Sequence, residues 1–316
     1  MLPPAHEMSL VPLPAGDRQS LVLVTSDRLG HLRLGYLLQA RFPGLLTAWF
    51  TAAADRVATP DVAGGIGSRL AASTSGAAVI AKLKRGEVAE VAAMIRRRLR
   101  PADLRKVRRQ LLRRAAPAAE RRLEQVEQEM FGDELARLRT SAALHPAAGA
   151  DVATILDAMR RTSPYLVVAY GATLPTAAAR LATGLSLTQH DGWLEMLAGP
   201  HAVEHALYRR QLAWVGSTTT ALIAGQAAPA LVRCSSATLH PDDTVAHCVA
   251  AAAALGASLM LDTLDDVLAN KPLTLRAFTP APALVAADYS PAMRDAVERD
   301  FAAGWLADAL AGEQDF

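Results

Sequence analysis

"SLVLVTSDRLGHLRLGYLLQARFPGLLTAWFTA", residues 20–52, sets the fold class. Ser20–Thr25 is a short apolar run rich in β-branched residues, closed by the polar Ser26 and Asp27, as expected of a strand buried on both faces. Leu32, Leu34, Tyr36, Leu37 and Leu38 then carry a helix as far as the Pro43-Gly44 turn, and "LLTAWFTA" reads as a second strand. Strand, helix, strand opens an α/β fold.

The same alternation returns after residue 150. Asp151 is a good N-cap for a helix bearing Val152, Ile155, Leu156 and Met159, which Ser163-Pro164 ends. "YLVVAY" reads as a strand breaking at Gly171, "TAAARLA" as a short helix, and "GLSLTQ" as a strand with His190 just past its end. Residues 198–213 read as a helix, and "VGSTTTALI" and "LVRCSSATL" as strands joined by "AGQAAPA". A long alanine-rich helix is expected from about Asp242 to Asn270, with Asp242 and Asp243 as its cap and first turn, and one more from about Ser290 to Leu310. The expected architecture is an open, mostly parallel, Rossmann-like α/β sheet over residues 20–270. An N-terminal tail (1–19) precedes it and a helical C-terminal extension (271–316) follows. Ligands of such a sheet sit at the carboxyl ends of its strands, where Gly171 and His190 both fall.

Residues 82–139 differ in character: they hold about half of the chain's 33 Lys and Arg residues, mixed with Glu. Pro101 and Pro117 divide them into helical pieces, Pro suiting the first turn of a helix. Leu104, Val107 and Leu111 make an apolar stripe on one piece; Leu123, Val126, Met130, Leu135 and Leu138 make another. The expectation is a helical-hairpin insertion laid over the sheet or against a second subunit, so that a homodimer or a helper protein is the partner it suits. Its arginines read as a solvated, salt-bridged face, not as a nucleic-acid surface.

Composition narrows the class. With 51% hydrophobic and 20% charged residues the chain can bury a large core, and a net charge of +2 points to neither nucleic acid nor an anionic membrane. Two cysteines, Cys234 and Cys248, make no metal-type pair and suit a reducing compartment. No basic segment followed by an apolar one opens the chain, and the weakly polar run Cys248–Leu261 falls short of the roughly 20 residues a bilayer requires. A cytoplasmic setting without membrane contact is the expectation.

"SPYLVVAYGATLP", "GLSLTQHDGWLEMLAGPHAVEHAL" and "VGSTTTALIAGQAAPALVR", in that order, resemble the formyltransferase superfamily that uses 10-formyltetrahydrofolate. That family carries a strand ending in Asn-x-His, a loop to a glycine nine residues after the histidine, a helix, and then a Gly-x-Thr strand leading to a loop with an Asp. Here Gly199 stands nine residues after His190, "PHAVEHAL" follows, and Gly216 and Thr218 match the Gly-x-Thr step. The match covers residues 151–270 well and 20–50 loosely. The resemblance implies formyl transfer to a small amine, such as an amino sugar or amino acid derivative, with His190 as catalytic histidine. It implies a folate site at the turn Tyr170, Gly171, Ala172, Thr173 and Leu174 and at the loop positions Gly225 and Ala227. No metal is expected.

The departures fall on the catalytic set. Thr188 occupies the Asn position and Ala227 the Asp position, so an oxyanion donor is weakened and an orienting carboxylate is absent. Asp191 is adjacent to His190, although neighbours on an extended strand point to opposite faces. Glu204 and His205 on the following helix are the better-placed replacements for the missing acid. His201, Glu204 and His205 also spell H-x-x-E-H, a zinc-protease pattern if His201 and His205 share a helical face. Three readings follow: a divergent formyltransferase, an inactive homologue serving as a binding or assembly partner, and a metal-dependent hydrolase using His190, His201 and His205.

Overall fold

The computed structural model describes residues 8–52, 118–172, 174, 176–285 and 288–313, and nine strands within them form one sheet. The described residues 8–52 and those from 122 onward belong to one compact unit. The first two pieces of the expected insertion, with their arginine run, lie outside the described residues.

The opening stretch folds as read: β2 (Leu21–Thr25), α1 (Leu29–Arg41) and β3 (Leu46–Ala52), with β2 and β3 parallel. β4 (Ala147–Ala150) continues that side; β5 (Leu166–Tyr170) and β6 (Leu185–Asp191) add parallel strands on the other side of β2. β7 (Gly216–Ile223), β8 (Ala230–Ser236), β9 (Leu273–Arg276) and β1 (Met8–Val11) then extend the sheet by antiparallel pairings, giving the order β1-β9-β8-β7-β6-β5-β2-β3-β4. Thus the α/β sheet is parallel around β2 and antiparallel beyond β6.

Register fixes the two faces. Leu21, Leu166 and Leu185 stand level, and so do Thr25, Tyr170 and Gln189. Because side chains alternate along a strand, one face presents Leu21, Leu23, Leu166, Val168, Tyr170, Leu185 and Leu187. Leu34 and Leu38 of α1 join this core, with Phe131 and Leu135 of α2 (Ala118–Ser141) and Met260 and Leu264 of α6 (Val245–Leu268). The other face presents Val22, Val24 and Val167 to Ile155 and Met159 of α3 (Val152–Thr162) and Ala178 of α4 (Thr176–Ala179). Asp151 caps α3 as expected, its Oδ1 accepting from Thr154 N at 2.8 Å.

Several boundaries differ from expectation for identifiable reasons. β1 and β9 come from segments read as tail and extension; four-residue edge strands are too short to show a period of two. The helix expected over 198–213 is only α5 (Ala202–Tyr208) and a 3-10 turn at Leu212–Trp214. Thr244, not Asp242, caps α6 in a capping box with His247, while Asp243 accepts from His240 N at 2.7 Å. The tail holds two helices, α7 (Pro291–Ala302) and α8 (Trp305–Glu313), split at Gly304, whose φ is 85°. α6, at 24 residues, is long and apolar enough to cross a membrane by length and composition, but it buries Ala250, Ala257, Met260 and Leu264 against the sheet. On α2, Met130 is 43% exposed while Glu127 is buried, so the apolar stripe carries a carboxylate inside it.

α1 lies close to β3 because Gly35 faces the Trp49 ring: a Cβ there would stand 2.4–2.6 Å from three ring atoms. Trp49 is held in turn by its indole N–H to Thr25 Oγ1 at 3.0 Å. Gly35→Ala is expected to lower stability by about 1–3 kcal/mol through overpacking. Urea denaturation checks this as a lower midpoint at unchanged slope.

Candidate active site

The carboxyl ends of β2, β5 and β6 lie side by side, and a cluster of polar groups gathers there. Ser26 stands one residue past β2, its amide donating to Tyr170 O at 3.1 Å. α1 begins three residues later and turns His31, 3% exposed, inward over Tyr170, with ring centroids 4.4 Å apart. β6 ends at Asp191, whose Oδ2 lies 3.0 Å from His31 Nε2 and 3.4 Å from Arg28 Nη1. The Tyr170 hydroxyl has one hydrogen and two acceptors, Asp191 Oδ1 at 3.1 Å and the Ala253 carbonyl at 2.6 Å.

Burial alone would raise the Asp191 carboxyl; the His31 contact and hydrogen bond, with Arg28 and His190, outweigh it and hold the pKa down to about 2. An ionised carboxylate only accepts, so His31 Nε2 carries the hydrogen. When the ring carries no second hydrogen, its Nδ1 accepts from the Ser26 hydroxyl, 2.6 Å away. Ser26, His31 and Asp191 thus form one directed hydrogen-bond chain. Gly171 is required beneath it: its φ is +61°, and a Cβ there would lie 1.9 Å from His31 Nδ1.

Glu127 of α2 anchors the other side. Its Oε1 accepts from Arg28 Nε at 3.0 Å and Nη2 at 2.6 Å, and its Oε2 from Leu29 N at 3.1 Å. α1 has no side-chain cap of its own, so this carboxylate meets the positive end of its dipole. Burial works against the Arg28 charge, but Glu127 and Asp191 more than compensate and its pKa is raised. Burial, then Asp191, raises Tyr170 as well, so its hydroxyl keeps its proton.

His190 and Thr188 share the opposite face of β6. His190 Nε2 lies 3.1 Å from the Leu197 carbonyl, to which it must donate, leaving Nδ1 as the basic nitrogen of the neutral ring. Burial lowers the His190 pKa against the pull of Asp191, so the ring is neutral at neutral pH. Asp191 therefore orients His31, not His190. Neither Glu204 nor His205 hydrogen-bonds His190. Glu204 Oε1 bonds to His201 Nδ1 at 2.9 Å. His205 is 3% exposed, lies edge-on to Tyr289, and has no hydrogen-bond partner on either nitrogen among the described residues. His201 precedes α5 with a φ of 60°, and both histidines pack against Tyr289, His201 stacked on the ring and His205 edge-on. Among the described residues no three His, Cys, Asp or Glu side chains gather to hold a metal.

The expected folate positions divide. Gly171, Ala172 and Leu174 lie on the turn after β5, at the site; Thr173 lies outside the described residues. The Tyr170 side chain is turned into the core. Gly225 and Ala227 follow β7, which runs antiparallel to β6: Ile223 pairs with Leu185 while Thr218 pairs with His190. Five residues of strand, roughly 17 Å, separate these levels. The loop with Gly225 and Ala227 is therefore at the wrong end of the sheet to serve His190. A cavity of about 300 Å³ lies elsewhere, lined by Met130, His240, Asp243 and His247 among others.

No family model matches the chain, and no curated protein matches it. Among solved structures it is similar to a 4-N formyltransferase from Francisella tularensis, at 9% identity over 86% of this chain and 78% of that one, with a TM-score of 0.46. A sugar N-formyltransferase from a Shewanella species is similar at 12% identity over the same shares, also with a TM-score of 0.46. HypX from Aquifex aeolicus, in complex with tetrahydrofolic acid, is similar at 17% identity over 45% of this chain and 25% of that one, with a TM-score of 0.29.

Sequence reading passed over Ser26, Arg28, His31 and Glu127. The available signal was position: "SDRLGH" spans the first strand-to-helix turn of an α/β sheet, a preferred place for ligand groups. Stability should fall in two stages on acidification. His190 and His205 have folded pKa values below their ordinary 6.5, so the unfolded chain takes up the protons first and their contribution is lost as pH drops below 6.5. The Asp191 contribution, roughly 2 kcal/mol, is present above the ordinary 3.8 and lost as pH falls toward about 2. Denaturant titrations across pH check both stages, and Asp191→Asn should flatten the second.

Proposed function

We propose that the chain transfers a formyl group from a donor of the 10-formyltetrahydrofolate type to a small amine. The observation that carries this reading is the state of His190. It stands at the carboxyl end of β6, neutral, with Nε2 tied to the Leu197 carbonyl and Nδ1 left to take a proton. Gly199, nine residues on, has a φ of +103°, and a Cβ there would lie 2.4 Å from Leu284 O, so the loop that closes over His190 needs that glycine.

The donor supplies an electrophilic formyl carbon. When the acceptor amine attacks it, a C–N bond forms and the nitrogen must lose a proton. His190 Nδ1 takes that proton and can return it to the departing nitrogen. Thr188, two residues earlier on the same face, offers a hydroxyl toward the formyl oxygen, one donor where the family pattern has an amide. The backbone of Gly171 and Ala172 with the half-buried Leu174 would hold the donor, without Gly225 and Ala227. An amino sugar or amino acid derivative as acceptor, a cytoplasmic setting and pairing through residues 82–139 belong to the same proposal. The second reading, a homologue that binds without turnover, is favoured by the missing amide and carboxylate.

Thermal-shift titration with 5-formyltetrahydrofolate should raise the melting temperature, and a panel of small amines with 10-formyltetrahydrofolate should reveal the transfer. A flat response to folate removes the proposal; a folate shift without transfer to any amine favours the second reading. In an active chain, His190→Ala should cut kcat by about 10²–10⁴-fold, the usual worth of a general base, while leaving the folate shift in place.

A further inference from the structure

We infer that Ser26 is an activated nucleophile, served by His31 and Asp191, that accepts acyl groups from activated esters. This does not depend on the folate reading, because the triad lies on the face of β6 opposite His190. Three features set it apart from a serine that merely caps a turn. Ser26 is half-buried, whereas the His31 behind it is only 3% exposed, so the chain of hydrogen bonds runs from the half-buried serine into the interior. Its Oγ lies 2.6 Å from Nδ1, and the same ring is fixed through Nε2 to Asp191 at 3.0 Å, the geometry of a nucleophile, its base and an orienting carboxylate. The carboxylate is fixed in turn by Arg28 and the Tyr170 hydroxyl, and Glu127 grips Arg28, so the orienting group has little freedom.

Backbone donors lie beside Ser26. The Arg28 amide points to Oγ at 3.3 Å, and the N-terminus of α1 opens three residues away. The Arg28 guanidinium, 28% exposed, lies in the same cluster, paired with Glu127 and Asp191. Attack joins Oγ to the carbonyl carbon of the ester while His31 Nδ1 takes the hydroxyl proton. The bond to the leaving alkoxide breaks, and that proton passes from His31 to the alcohol released. Water then attacks the acyl-serine, giving its proton to His31, and Ser26 Oγ recovers it as the acid leaves. No electrons are exchanged with any other group.

The full chain would be incubated with p-nitrophenyl acetate and, separately, with an alkyl fluorophosphonate, and digested for peptide mass mapping. The expected result is nitrophenol release with acetyl or phosphonyl mass on the peptide containing Ser26, both abolished in Ser26→Ala. His31→Gln, shown to be folded by its melting curve, should slow labelling on the order of 10³-fold. If that variant does not fold, mapping of the unaltered chain and Ser26→Ala still decide. Absence of label, label on other residues only, or an unchanged rate in folded His31→Gln would overturn the inference.

Discussion

The Asp191 carboxylate is the constraint on which the functional end of the sheet depends. A partly buried negative charge is costly unless donors meet it, and here His31 from α1 and Arg28 from the turn before it supply them, while the single Tyr170 hydroxyl hydrogen of β5 is shared between Asp191 and the Ala253 carbonyl. Each donor is itself held elsewhere, Arg28 by Glu127, Tyr170 by the Ala253 carbonyl, and His31 by Ser26. The carboxylate therefore ties α1, α2, β5 and α6 together at one point.

Strand direction decides which of the chain's polar residues can act together. β2, β5 and β6 run parallel, so their last residues and the turns after them converge. β7 runs the other way, which brings Gly216 and Thr218 to that convergence and sends Gly225 and Ala227 to the opposite end. Alternation then divides β6 itself: Gln189 and Asp191 face α1, while Thr188 and His190 face away. Two adjacent residues, His190 and Asp191, consequently belong to two different chemical environments.

Much of the framework was legible because it rests on local chemistry. The apolar runs of β2, β5 and β6, the Asp151 cap, the Gly171 turn and the long helix α6 follow from residue type and spacing alone. The edge strands β1 and β9 escaped because four residues are too few to show alternation, and α5 was overextended because His201 and Arg210 take left-handed backbone conformations that composition does not announce. The place of His190 at a strand end was legible in the sequence. Alternation puts Asp191 and His190 on opposite faces, but nothing local revealed that His31, 160 positions away, would meet Asp191.

"GLSLTQHDGW" by itself determined that a strand would end at a histidine and an aspartate facing opposite ways, because a β-strand has a period of two. The first βα unit by itself determined that the sheet would be α/β. Only the tertiary structure decided what each of the two residues does. Long-range packing chose their partners: the Leu197 carbonyl for His190, and His31, Arg28 and Tyr170 for Asp191. Those contacts span up to 163 positions in the chain, and no local pattern encodes a pairing at that separation.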